Sequence, residues 1–253
     1  MYNPSRNIVT KFIIYNEINI VELLYMSSGH DINPLLSLMQ LVSSNFPLGG
    51  FSYSRGLEWA VECNWVNSVE TFFDWQEQWV VGPLIYLEWP MLKRCYYYTQ
   101  IKDGMSFFQC SLKILSFRDT HELRLEEQQR GKALSKLILQ WYPLTDNKVW
   151  LSALEHSGLA SIAWLGCTWG IPLENLALGY AYNVLESSTM TGLKLVPFGQ
   201  TTAQRLLRSL IERLPNAWKK ANNIRDHELG DSFPLQSIAS SCHETQYSRL
   251  FRS

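Results

Sequence analysis

Histidine–glutamate pairs in this chain look like the start of a metalloprotease motif. His121-Glu122 and His243-Glu244 each begin as HExxH does. That pattern sets two imidazoles on one helical face around zinc, with the glutamate as general base. Leu125 and Tyr247 stand where the second histidine is required, so neither pair is such a centre. The scattered histidines (30, 121, 156, 227, 243) read as surface or hydrogen-bonded residues, with a transient metal ligand as the alternative. GFSYS at 50–54 misses the GxSxG nucleophile elbow by one residue, since the fifth position is Ser54. An elbow also needs a preceding strand, where this chain offers a helix. Gly131-Lys132 has the Gly-Lys of a phosphate-binding loop, but Ala133 stands where Ser or Thr must hold magnesium, and Glu126 replaces the first glycine.

Composition removes further classes. The chain has 253 residues, 46% hydrophobic and 13% aromatic, enough for a packed core. A net charge of −1 gives no whole-chain basic field for nucleic acid. Five cysteines (63, 95, 110, 167, 242) are an odd count with no CxxC spacing. That favours reduced thiols in a cytoplasmic protein over a disulfide framework or a zinc site. No uncharged run approaches the ~20 apolar residues of a membrane span.

The remaining polar groups cluster in two places. Arg118 to Arg130 carries Asp119, Glu122, Arg124, Glu126, Glu127, Gln128 and Gln129, with Leu123 and Leu125 the only large apolar residues. It reads either as a solvated helix laced with i, i+4 pairs such as Glu126–Arg130, or as a helix whose polar face meets another protein or buries a network. The C-terminus, HETQYSRLFRS, supplies Tyr247, Arg249, Phe251 and Arg252 after a weakly helix-forming stretch with Gly230, Pro234 and serines 237, 240 and 241. Aromatics and arginine are enriched at interface hot spots. That composition reads as a flexible tail over 230–253 that orders on a partner, or as a frayed tail.

These groups need positioning elements, and the signal for those is helical almost throughout. Leu35, Leu38, Met39 and Val42 make one apolar face after an Asn33-Pro34 start. Asn45 to Glu58, NFPLGGFSYSRGLE, is a punctuated link: Pro47 stops one helix, Gly49-Gly50 permits unusual backbone, and Ser52 or Ser54 can cap the next. A long apolar-aromatic segment begins at Ser68 and is expected to break near Gly82-Pro83 and at Pro90. Helices follow over 105–117 and 119–141. Leu159, Ile162, Ala163 and Gly166 make another face, and Leu173, Ala177, Tyr180 and Val184 the next. The clearest stripe is Ala203, Leu206, Leu207, Leu210, Ile211 and Leu214, with Arg205, Arg208, Glu212 and Arg213 opposite. The reading is all-α: a single domain of packed helices over 33–229, an arm over 1–32 and the tail over 230–253. The arm could be an amphipathic helix, an added strand or an ill-ordered extension.

Four segments carry a resemblance: FPLGGFSYSRGLE; FRDTHELRLEEQQRGKAL from Phe117; KLVPFGQTTAQRLL from Lys194; and HETQYSRLFRS from His243. Their order and wording resemble the UreF family of urease accessory proteins across roughly 34–253. The resemblance implies an all-helical, usually dimeric, non-enzymatic protein without a resident cofactor. It implies a bridge between a UreD-type protein (also called UreH) and the GTPase UreG, loading nickel into apo-urease. Carried over by motif, Tyr53, Ser54, Glu58, Lys194, Gln200 and Gln204 are contact candidates on the GTPase side. His243, Tyr247, Arg249, Phe251 and Arg252 are candidates on the UreD side. Phe198 stands where the family usually has Leu, and Ala203 where it has Gly. A helical scaffold unrelated to nickel, or a small-molecule enzyme, is the alternative reading.

Overall fold

In the computed structural model, residues 33–43, 46, 52–142, 144, 147–230 and 233–252 are described. The arm over 1–32, Asn45, Pro47 and Gly49-Gly50 lie outside them. Every regular element among the described residues is helical. In order these are α1 (Pro34–Val42), α2 (Leu57–Glu62), α3 (Val69–Trp79), a π-helical segment (Val80–Glu88), α4 (Trp89–Gln100), α5 (Gly104–Ser116), α6 (His121–Trp141), α7 (Lys148–His156), α8 (Gly158–Thr168), α9 (Leu173–Leu195), α10 (Gln200–Ile211), α11 (Leu214–Ala221), a 3-10 turn (Asp226–Glu228) and α12 (Pro234–His243).

Local chemistry sets many of the ends. Ser68 caps α3 in a capping box with Thr71, and Asp103, Thr120, Asn147 and Ser157 each cap the helix that follows. Pro83 and Pro90 do not break the long aromatic segment as expected. The chain stays helical by widening into π turns over 80–88, and Pro90 falls in the first turn of α4, where no N–H is required. The result carries Glu88 into the interior, 1% exposed.

Helix α8 is the centre of the packing. Gly158 to Gly166 is buried throughout, against α4 on one side and α6 on the other. Helix α6 crosses the α7–α8 junction at Gly131. A Cβ there would fall 2.8 Å from the carbonyl oxygens of Leu154 and Glu155. Gly131 therefore serves helix packing, the role its false phosphate-loop context left unassigned. Helix α9 lies across α10 and α1, and α10 seats Ala203, Leu206, Leu207 and Leu210 in the core. Ala203 is fully buried, and Phe198 lies 5.2 Å from Phe72, over Gly192.

Two expectations fail here. On α1 it is Ser37 and Leu41 that are buried, while Leu35 and Met39 are exposed, because the helix meets Gly179 of α9 through Leu38 and Val42. The stretch after Gly230 is not separate from the domain. Residues 34–253 form one compact unit, and α12 packs on α2 and α6. Weak helix propensity is overridden by tertiary contact: Ala239, Ser240, His243 and Phe251 are all buried.

Candidate functional site: a buried ion network and the clamp beneath the tail

The loop Ser52–Gly56 enters α2 through Gly56, whose φ of 81° is left-handed. A Cβ on Gly56 would lie 2.7 Å from the amide nitrogen of Ser240, so α12 approaches the loop only because the residue is glycine. No side chain caps α2, neither that of Ser52 nor that of Ser54. The Ser54 backbone carbonyl accepts from Leu57 N instead, and its Oγ is buried without a hydrogen-bond partner.

Glu58, on the first turn of α2, faces the chain end. One carboxylate oxygen accepts from Leu250 N at 2.7 Å and the other from Phe251 N at 3.0 Å. His243 Nε2 lies 3.2 Å from the same Glu58, and its Nδ1 lies 2.9 Å from Glu122 on α6. The two ring nitrogens thus face two carboxylates on different helices, and the imidazole bridges α2 to α6. Arg249 Nη1 reaches Glu122 at 3.1 Å, and Glu244 accepts from the backbone N–H groups of His121 and Glu122 at the start of α6. Burial pushes the Glu122 carboxyl pKa up, against the pull of His243 and Arg249. The two incomplete HExxH pairs thus meet each other. The ring stands between the carboxylates, and among the described residues no group of three or more His, Cys, Asp and Glu side chains is placed to hold an ion.

A second network lies deeper. Arg55 holds Glu126 with Nε at 3.0 Å and Nη2 at 2.8 Å, and Arg130 reaches the same carboxylate at 3.3 Å. Arg118 joins Glu88 at 2.7 Å and Glu127 at 2.6 Å. Tyr180 donates to Glu88 at 2.6 Å, and Glu127 accepts from Ser157 Oγ and Leu159 N at the start of α8. Three arginines and three glutamates balance in the interior. Burial alone would raise the Glu127 pKa, but Arg118 and Arg130 outweigh it and hold it at about 2. Glu88 is likewise lowered, burial being outweighed by Arg118. The acidic run on α6 is therefore a buried network: Glu122, Glu126, Glu127 and Arg130 are each 5% exposed or less.

The sequence candidates fall into three groups. Glu58, His243 and Phe251 are buried, and they hold the chain end to the loop instead of facing outward. Tyr53, Lys194, Arg249 and Arg252 surround them. Tyr53 donates to Gln129 at 2.6 Å, Lys194 Nζ sits 5.4 Å from the Phe251 ring, and Arg252 N donates to Ser52 O. Burial, then the charge of Glu126, pushes the Tyr53 pKa up, while Arg252 pulls it down. Tyr247 is fully exposed, and Gln200 and Gln204 are exposed at the start of α10. The structure so brings most of the two candidate sets into one place. Residues missed from sequence are Arg55 and Glu88, since nothing local ties residues 71 or 30 positions apart; Arg118 and Glu122 were seen only as part of the polar run, without their partners.

Comparison with known proteins now adds the decisive observation. The family model for UreF matches residues 66–211. The chain is 80% identical to the urease accessory protein UreF of Blochmanniella pennsylvanica (strain BPEN), across 90% of this chain and 100% of that protein. The chain belongs to the UreF family. It is also 64% identical to the UreF of Blochmanniella floridana, over 90% of this chain and 100% of that one, and 51% identical to that of Pseudomonas putida (strain W619), over 87% and 97%. As a member of the UreF family it is a urease accessory protein, and its all-helical fold is that of the family. No helix among the described residues is long and apolar enough to cross a membrane.

Proposed function

We propose that the protein is a non-enzymatic bridge in urease maturation. It joins a UreD/UreH-type protein to the UreG GTPase, so that nickel reaches apo-urease as cargo and GTP hydrolysis is coupled to metallocentre assembly. It works in the cytoplasm as a homodimer with no resident cofactor. The observation that carries this reading is the clamp. Glu58 fixes the chain end on the signature loop and leaves Tyr247, Arg249, Leu250 and Arg252 exposed around it. Leu250 is 76% exposed although its own amide is tied to Glu58. Aromatic, apolar and arginine side chains on a pre-ordered backbone suit a hot spot, because less conformational entropy is lost on binding. Lys194 beside Phe251 places a candidate for the GTPase side next to the candidates for the UreD side. In this reading partner docking converges on one neighbourhood, with Gln200 and Gln204 at its outlying edge.

Deleting 243–253 is a poor test, because it removes His243 and leaves Glu58 and Glu122 buried without their hydrogen-bond partner. The cleaner variant is Tyr247→Ala with Leu250→Asp. It should keep the melting temperature, lose co-purification with the UreD-type partner and lose urease activity in nickel-supplied cells. Full activity and normal partner recovery from that double variant would overturn the reading. The purified chain alone should neither bind GTP tightly nor hydrolyse it, and a stoichiometric nucleotide complex would count against a purely bridging role.

A further inference from the structure

Helices α4 and α5 pack on each other and are joined by a tight turn. Lys102 takes a left-handed φ of 56°, Asp103 N donates to Tyr98 O at 3.0 Å, and the Asp103 carboxylate accepts from Ser106 N at 3.0 Å. The turn therefore fixes how the two helices face each other. Across that hairpin Cys95 meets Cys110, fifteen positions later, with Sγ atoms 3.1 Å apart. Packed carbon atoms sit roughly 3.5–4.0 Å apart, and sulfur is larger than carbon, so the thiols stand closer than packing requires. A disulfide sets the sulfurs about 2.0 Å apart, so bonding this pair takes a movement of about 1 Å.

The two thiols are not equivalent. Cys95 is fully buried, whereas Cys110 is 6% exposed, so an oxidant reaches Cys110 first. Burial, then the neighbouring Cys110, pushes the Cys95 thiol pKa up. Both are free cysteines in the resting chain. A disulfide in a reducing compartment is a transient, redox-responsive bond.

We propose that Cys95 and Cys110 are an oxidation site, where a peroxide forms a reversible disulfide that staples α4 to α5. The Cys110 sulfur loses its proton and attacks a peroxide oxygen. The O–O bond breaks, leaving a sulfenic acid and one water. The Cys95 sulfur then attacks the sulfenic sulfur, and the S–S bond forms as the S–O bond breaks. The Cys95 proton leaves with the hydroxide as a second water. The two sulfurs lose two electrons in all, and the peroxide gains them. The rigid turn holds the second thiol in place for that step, which makes it unimolecular. The site is separate from partner docking and stands whether or not the bridge reading holds.

The test treats the folded full-length protein with hydrogen peroxide, blocks remaining thiols, and maps tryptic peptides without reductant. Cleavage after Lys102 separates the two cysteines, and exposed Cys63 serves as the internal reference. A linked pair of peptides carrying Cys95 and Cys110 should appear, lighter by two hydrogens than the two thiol peptides. A thiol reductant should restore both thiols. The oxidised chain should show a higher denaturant midpoint than the reduced one, and Cys110→Ala should abolish both the link and the rise. Where Cys110→Ala does not fold, the wild-type map decides alone. Oxidation of Cys63 while Cys95 and Cys110 stay as free thiols would overturn the proposal and leave the pair as small packing residues. A link that forms only in denaturant would overturn it equally.

Discussion

The two polar networks of this molecule are built differently: arginine–glutamate pairs lock the body, while the chain end hangs on one imidazole, one arginine and two backbone amides. In the body, Arg55, Arg118 and Arg130 neutralise Glu88, Glu126 and Glu127. Guanidinium groups keep their charge throughout the accessible pH range, and each here is locked by more than one carboxylate bond or by close packing. In the clamp, Glu58 and Glu122 face one imidazole, with Arg249 helping from a partly exposed position. The body network ties α6 to α8, to the π-helical segment and to the loop, all internal elements. The clamp ties down only the end of the chain. A urease accessory protein that must meet partners is served by such a division: a fixed interior, and a chain end held by a few polar contacts.

Breaking the body network should have the largest effect. Arg118→Met leaves Glu88 and Glu127 buried without their shared cation, and should cost about 3–5 kcal/mol, read as a large fall in denaturant midpoint. If the midpoint barely moves, the network is not what holds α6 and the π-helical segment together.

Acid should weaken the same network next. The folded pKa of Glu127 is depressed from 4.5 to about 2. Its contribution is therefore present above the unfolded value and lost as pH falls from 4.5 toward 2. For Glu127 alone this amounts to roughly 3 kcal/mol. A melting temperature that is flat between pH 5 and pH 2.5 would contradict that. The smallest effect belongs outside both networks. Arg208 and Glu212 pair on the exposed face of α10, and Arg208→Ala should change stability by less than about 0.5 kcal/mol. A larger loss would place that face in an interface between copies.

What could be read from sequence follows the range of the interactions. The α10 stripe was legible because its pattern is local: Ala203, Leu206, Leu207 and Leu210 are buried and Arg205 and Arg208 are exposed, as the 3.6-residue period requires. Leu207→Asp should accordingly unfold the protein, whereas the same change at exposed Leu36 should not. The acidic run on α6 was ambiguous because charge on a helix face normally points to water. Its burial depends on Arg55 and Arg118, residues outside the helix that no periodicity reveals. The chain end misled for the same reason. Serines, Gly230 and Pro234 argue for a loose tail, yet two backbone N–H groups on one glutamate 192 and 193 positions earlier draw it in. Both the signature loop and the tail were found as motifs. Their contact through Glu58 and His243 was not, since it is a property of the fold.

The central claim is that the chain end is held on the loop by Glu58 before any partner binds. Native-state hydrogen exchange at the amides of Leu250 and Phe251 tests it most directly, in the isolated protein and in Glu58→Ala. Both amides should be protected in the wild-type chain and exchange at least tenfold faster in the variant, while amides of α8 remain protected. Unprotected Leu250 and Phe251 amides in the isolated wild-type protein would show that the tail is free until a partner orders it.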